Sequence, residues 1–171
     1  DSEYDPIMGI STGAGVIFGT TGGVMVAALR TAYEVITGRE VPFRNLNITP
    51  VRGMEGIREA SIKLEKVKKE WKFLEGIEFK VAVAHGLINA RKIMEQVANN
   101  TSPYHFIEIM ACPGGCIGGG GQPIPTSPEI RKKRAQAIYE EDAAKPIRKS
   151  HENPEIKQIY DEFLIKPLSH K

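Results

Sequence analysis

The sequence predicts an α/β fold: a small, mostly parallel sheet flanked by helices, with a helical C-terminal arm. Three observations lead there. IEFKVAVA (77–84) and FIEIM (106–110) have the composition of strands. The stretch between them carries apolar residues at helical spacing, and a glycine-rich loop follows the second strand. Open α/β sheets place their chemistry at the carboxyl ends of strands, where this loop lies.

From the N-terminus, residues 11–23 (STGAGVIFGTTGG) read as a Gly/Thr-rich loop feeding a helix over about 22–37. Met25, Ala28, Leu29, Ala32, Val35 and Ile36 recur on one helical face there, and Gly38 is a natural stop. NITPVRG (47–53) and the alternating Ala60, Ile62 and Leu64 read as short strands. In 77–84, Ile77, Phe79, Val81 and Val83 share one face, with Ala82 and Ala84 on a second covered face. Leu87, Ala90, Met94 and Val97 align along a helix over 86–98. FIEIM is a short, nearly continuous apolar run, as expected of a buried parallel strand. Composition shifts after Gln122. Pro123, Pro125 and Pro128 mark a linker, with Ser127 as cap and Pro128 at the first position of a polar helix over 128–145. PEIKQIYDEFL (154–164) reads as a last helix with Ile156, Ile159, Tyr160, Phe163 and Leu164 as its stripe. The expected division is 1–122 and 123–171, the second an arm packed on a larger body.

Composition narrows the function. The 171 residues hold 23 Lys+Arg against 21 Asp+Glu, a net charge of +2 too weak and too evenly spread to argue for nucleic acid. With 41% hydrophobic and 26% charged residues, disorder is excluded. No segment reaches the ~18 consecutive apolar residues of a membrane-spanning helix. The start DSEYDPIMGI is not a signal peptide, which makes the cytoplasm the expected compartment.

The chemistry concentrates in IEIMACPGGCIGGGGQP (107–123), where six of the 17 glycines fall within 114–121. Cys112 and Cys116 stand four apart at the end of a strand. As a disulfide they would close a tight ring. As a phosphate loop the segment lacks the Lys-Ser/Thr pair of a Walker motif. As a zinc site it lacks a second cysteine pair, with His105 the one histidine nearby. They could be buried structural thiols. As iron–sulfur ligands they would profit from glycines that let backbone N–H groups approach an anionic cluster, Gly114 and Gly115 among them. A cubane takes about four thiolates and the chain owns two, so the others would come from elsewhere.

EIMACPGGCIGGGGQP resembles the third signature of the FeFe-hydrogenases, E-x-M-x-C-x-x-G-C-x-x-G-G-G-Q-P, with every fixed position matched. STGAGVIFGTTGGVMVAALRTA (11–32) resembles the segment that family places before its second lobe. KRAQAIYEED and KSHENPEIKQIYDEFLIKPLSHK resemble its small-subunit-type tail. The resemblance implies one lobe of a two-lobe catalytic domain, plus tail. It implies that Cys112 ligates a 4Fe-4S cluster. It implies that Cys116 ligates the cluster and bridges to a diiron subsite bearing carbon monoxide, cyanide and azadithiolate ligands. Met110 is similar to a methionine packed beside that subsite, and Phe18 and Gly19 to a pair lining its ligand pocket. The activity implied is reversible reduction of protons to hydrogen. The partners implied are the remaining lobe and a ferredoxin or NAD(P)-linked electron-transfer subunit. The family's first two signatures, T-S-C-C-P and M-P-C-x-x-K, do not occur here. They carry the other cluster cysteines, a proton-donating cysteine and a cyanide-binding lysine. The competing classes are a non-catalytic, hydrogenase-like iron–sulfur assembly protein and a sensory hydrogenase.

Other features read more plainly. Gly13, Gly15 and Gly19 imitate a dinucleotide fingerprint, but EYDPIMGIST before them is not a strand. RKKR (131–134) reads as a solvated helix face, His85 as a satisfied structural histidine and His151 as a capping or docking residue of the tail. Glu108 is the polar exception within FIEIM. It needs a backbone N–H or an arginine as partner and is expected to order the cysteine loop.

Overall fold

A computed structural model describes residues 8–165. The reading of residues 1–7 and the last six residues of the tail signature, 166–171, lie outside the described residues. β1 (Ile57–Lys63), β2 (Glu78–His85) and β3 (Phe106–Met110) form a three-stranded sheet in the order β1-β2-β3. β2 and β3 are parallel, pairing Val81 with Phe106 and His85 with Met110. β1 is antiparallel to β2, so the sheet is mixed. The reversal between them is direct. Leu64 N–H donates to Ile77 O (2.9 Å) and Gly76 N–H to Leu64 O (2.7 Å), closing the connection without the crossover a parallel pair needs.

The helices are α1 (Gly13–Val16), α2 (Gly23–Thr37), α3 (Leu87–Ala98), α4 (Pro128–Ala144) and α5 (Pro154–Ile159). Val81, Val83 and Ile62 pack with Met25, Val26, Leu29 and Tyr33 of α2 on one face of the sheet. Ala82 and Ala84 pack with Ile93 of α3 on the other, so β2 is covered on both faces as its alternation predicts. Gly38 ends α2 in the left-handed region, and Ser127 caps α4 by accepting Ile130 N–H (3.2 Å).

Four local expectations change. Residues 11–23 are not a plain loop: Thr12 Oγ1 accepts Gly15 N–H (3.1 Å), capping α1, and a 3-10 turn follows at Ile17–Gly19. NITPVRG is no strand but contains a 3-10 turn, Thr49–Val51, with Pro50 in its first turn. On α3 the buried residues are Ala90 and Ile93, whereas Leu87 is 72% exposed and Met94 and Val97 are also exposed. β3 is an edge strand whose fully buried residue is Glu108, with Phe106 and Ile109 exposed; no described strand covers its outer side.

The arm is fastened to the body by a buried ion cluster. Asp142 of α4 receives both terminal nitrogens of Arg30 from α2 (2.8 and 2.7 Å) and Nη2 of Arg148 (2.7 Å) and of Arg52 (3.1 Å). Arg30 and Asp142 are both 0% exposed. Gly13 lets Asp142 in, since a Cβ there would stand 2.2 Å from Oδ1; that packing, not a nucleotide, accounts for this glycine. His151 Nδ1 lies 3.1 Å from Thr31 Oγ1, a docking contact of the arm on α2. No helix among the described residues is long and apolar enough to cross a membrane.

Candidate metal centre

β3 ends at Met110, and the chain turns at once into the cysteine loop. Gly115 N–H donates to Cys112 O (3.0 Å), then a 3-10 turn spans Cys116–Gly118, with Gly118 N–H on Gly115 O (3.0 Å) and Gly119 N–H on Cys116 O (3.1 Å). Both thiols are free, Cys112 half-buried and Cys116 exposed. They share a recess of about 330 Å³ with Met110, Ala111, Gly115, Gly119 and Gly120.

Glycine is required by the close packing of this loop. Gly115 has φ +93°, and a Cβ there would stand 2.7 Å from Thr21 N, 2.9 Å from Gly19 O and 2.9 Å from Met110 Sδ. Thr21 N–H donates to Gly114 O (3.0 Å), tying the loop to the segment before α2. A Cβ at Gly119 would stand 3.4 Å from Cys112 Sγ and fill the recess. Gly19, Met110, Cys112, Gly114, Gly115 and Cys116 therefore come together. Phe18 follows the same turn, but its ring is 46% exposed and does not line the recess.

Glu108 finds backbone N–H partners, as its chemistry demands. Its carboxylate accepts from Gly22 N (2.6 Å) and Met25 N (2.7 Å), capping α2 where Gly22 has no side chain to offer. Burial pushes its pKa up, while these two bonds and the Arg58 charge pull against that shift. Glu108 thus acts on the loop through residues 21–22, not by touching it. Glu108→Ala leaves buried N–H groups unpaired and is expected to cost about 1–3 kcal/mol, read as a lowered urea midpoint. An unchanged midpoint would show that the cap carries no stability.

Sequence reasoning missed three arginines. Arg58 is buried on β1 and donates to Thr21 O (3.2 Å) and Gly53 O. Extending the inward alternation of Ala60, Ile62 and Leu64 back two positions reaches Arg58, which was the available signal. Arg134 donates to Ile117 O (3.0 Å) and Pro123 O (2.8 Å). Of the RKKR run only Lys132 and Lys133 are exposed, so it is half a solvated face; Arg131 and Arg134 turn toward the loop. His85 is not satisfied: it is buried and its Nδ1 has no partner among the described residues. The other grouping of metal-type donors among the described residues, Glu34, His151 and Glu152, has its two glutamates paired with Lys149 Nζ (2.7 and 2.8 Å).

The recess suits a soft metal group. Its donors are two thiols and a thioether, with no carboxylate or imidazole in its lining. Residues 1–120 match the family model for the iron only hydrogenase large subunit, C-terminal domain, and 128–171 that for the iron hydrogenase small subunit. The chain belongs to the iron-only hydrogenase family. It is 48% identical to NADP-reducing hydrogenase subunit HndD of Solidesulfovibrio fructosivorans, over 100% of this chain and 27% of that protein. It is 41% identical to iron hydrogenase 1 of Clostridium pasteurianum, over 98% of this chain and 28% of that protein. A solved variant of [FeFe]-hydrogenase HydA1 from Chlamydomonas reinhardtii superposes with TM-score 0.75 at 44% identity, over 99% of this chain and 47% of that one. Cytosolic Fe-S cluster assembly factors match about half of this chain at lower identity. The chain thus spans about a quarter of the length of these curated hydrogenases and just under half of the solved chain.

Proposed function

We propose that this chain supplies half of the thiolate ligands of a 4Fe-4S cluster in a hydrogenase that interconverts protons and hydrogen. Cys112 and Cys116 would hold the cluster, and Cys116 would also link it to a diiron subsite. The recess that joins these free thiols to Met110 and the glycines, in a chain of this family, carries the reading. When bound, the diiron group with its carbon monoxide, cyanide and azadithiolate ligands supplies the hydrogen chemistry.

The chain's own residues prepare the place. Met110 offers a polarizable, apolar thioether wall to the recess that holds the two sulfurs. Gly114 and Gly115 let the loop pack closely against Met54 and the segment before α2, and Gly119 leaves the space beside Cys112 Sγ that a Cβ would narrow. Gly19, whose carbonyl approaches Gly115, and Phe18, whose ring keeps exposed apolar surface, are assigned to the wall around the subsite's small ligands. The remaining lobe, with the missing cysteines, is the first partner. A ferredoxin or an NAD(P)-linked subunit is the electron partner, the latter in keeping with the name of the relative from Solidesulfovibrio fructosivorans. Residues 1–122 form the lobe and 123–171 the small-subunit-like arm.

Anaerobic reconstitution with iron and sulfide tests the split ligand set. The chain alone is expected to hold no stoichiometric 4Fe-4S cluster, since about four thiolates are needed and it has two. Co-assembled with the polypeptide that carries the other cysteines, it is expected to show one cubane per complex by electron paramagnetic resonance. A full cluster on the chain alone contradicts the proposal. Infrared bands of bound carbon monoxide and cyanide after maturation separate a hydrogenase from an iron–sulfur assembly protein, which would lack them.

A further inference from the structure

We infer that Arg58, Arg131 and Arg134 form an electropositive cradle behind the cysteine loop that sets the reduction potential of the cluster held there. The inference rests on the iron–sulfur reading above and adds residues to it from β1 and from the arm.

Each arginine meets the loop or its immediate support. Arg58 Nη2 donates to Thr21 O (3.2 Å), and Thr21 N–H donates to Gly114 O (3.0 Å), so one residue separates this guanidinium from the loop backbone. Arg134 grips Ile117 O and Pro123 O, bracketing residues 118–122. The Arg131 Cδ lies 2.8 Å from where a Cβ on Gly118 would stand. Arg131 and Arg134 sit on α4, within the stretch matched by the small-subunit model.

The carboxylates nearest these arginines, Glu55 and Glu108 for Arg58 and Glu129 for Arg131, act on them through space without closing an ion pair. None of the three guanidiniums forms an ion pair among the described residues, whereas Arg30, Arg52 and Arg148 all do. Glu108, which faces Arg58, has both carboxylate oxygens engaged by α2. The Nε atoms of Arg58 and Arg131 are buried and unpartnered, as is Nδ1 of His85. Burial first, and then the charges of Arg58 and Arg131, push His85 below its ordinary pKa. Arg58 is buried and Arg131 and Arg134 are half-buried, and a cation drawn out of water without a counter-ion is costly unless an anion answers it. A thiolate-ligated cluster on the far side of the loop is such an anion. Net charge and hydrogen bonding around a cluster are what set its potential.

The test uses the complex of this chain with its complementary polypeptide, loaded with the cubane and without the diiron subsite. Its potential is titrated by electron paramagnetic resonance. Arg131→Gln is expected to lower the reduced-to-oxidised ratio at fixed potential roughly tenfold, about 59 mV for a one-electron couple. Arg131→Lys, which keeps the charge, is expected to restore the wild-type value. Should Arg131→Gln fail to fold, Arg134→Gln with Arg134→Lys is read the same way. A cubane at wild-type potential in the glutamine variants overturns the cradle while leaving the ligand assignment intact. A wild-type complex with no cubane overturns the ligand assignment itself.

Discussion

Asp142→Ala is expected to destabilise the protein by about 3–5 kcal/mol, the effect of removing one partner from a buried ion cluster. Arg30 is fully buried and gives Asp142 both its terminal nitrogens, and Arg52 and Arg148 converge on the same carboxylate. Without it, three guanidiniums remain with their counter-ion gone, and the arm loses its deepest anchor in the body. The signature is a large fall in urea midpoint at neutral pH. The wild type carries a matching acid limb. Burial alone would raise the Asp142 pKa, but the hydrogen bonds and charges of Arg30 and Arg148 outweigh it and hold the group well below its ordinary 3.8. A depressed folded-state pKa means the stabilisation is fully present above about pH 4 and is lost as pH falls through the folded-state value. Asp142→Asn should therefore lose stability at pH 7 and lose much less on acidification than the wild type. Equal acid sensitivity in the two proteins would show that this carboxylate is not the titrating group.

Cys116→Ser in the mature complex is expected to abolish retention of the diiron subsite, with loss of its carbon monoxide and cyanide infrared bands. A serine hydroxyl is a hard donor and stays protonated, so it cannot replace a soft anionic bridge between two metal groups. The fold should survive, because Cys116 is exposed, and circular dichroism checks that. On the proposed ligand set, Cys112→Ser would remove a ligand from the cubane alone, so its effect should appear as lower 4Fe-4S content. An active Cys116→Ser enzyme would reject the bridging role.

Much of this site can be read without coordinates. The spacing of Cys112 and Cys116, the glycines around them and the strand before them are local in sequence, and their packing follows from the missing Cβ atoms. Glu108 is legible too, since a carboxylate inside an apolar run must find donors. Its donors, Gly22 and Met25, lie more than 80 residues away, and no local pattern could name them. Arg58 lies within reach of the β1 alternation, whereas Arg131 reads as an ordinary solvated charge until α4 packs against the loop.

The α2 helix shows where pattern runs out. Period and its terminal glycine place it correctly, and Met25 and Leu29 are buried as expected. Ala32 and Val35 are exposed instead, and Arg30 is in the core. A hydrophobic period counts arginine as solvent-facing, because an unpaired charge cannot be buried. Asp142 reverses that from 112 residues along the chain. Caps, strand alternation and the cysteine loop are decided by neighbours in sequence, where sterics and backbone hydrogen bonding act within a few residues. Which strand becomes the edge, which charges go inside and what stands behind the thiols are decided by contacts between distant segments. There an ion's burial depends wholly on whether its partner arrives.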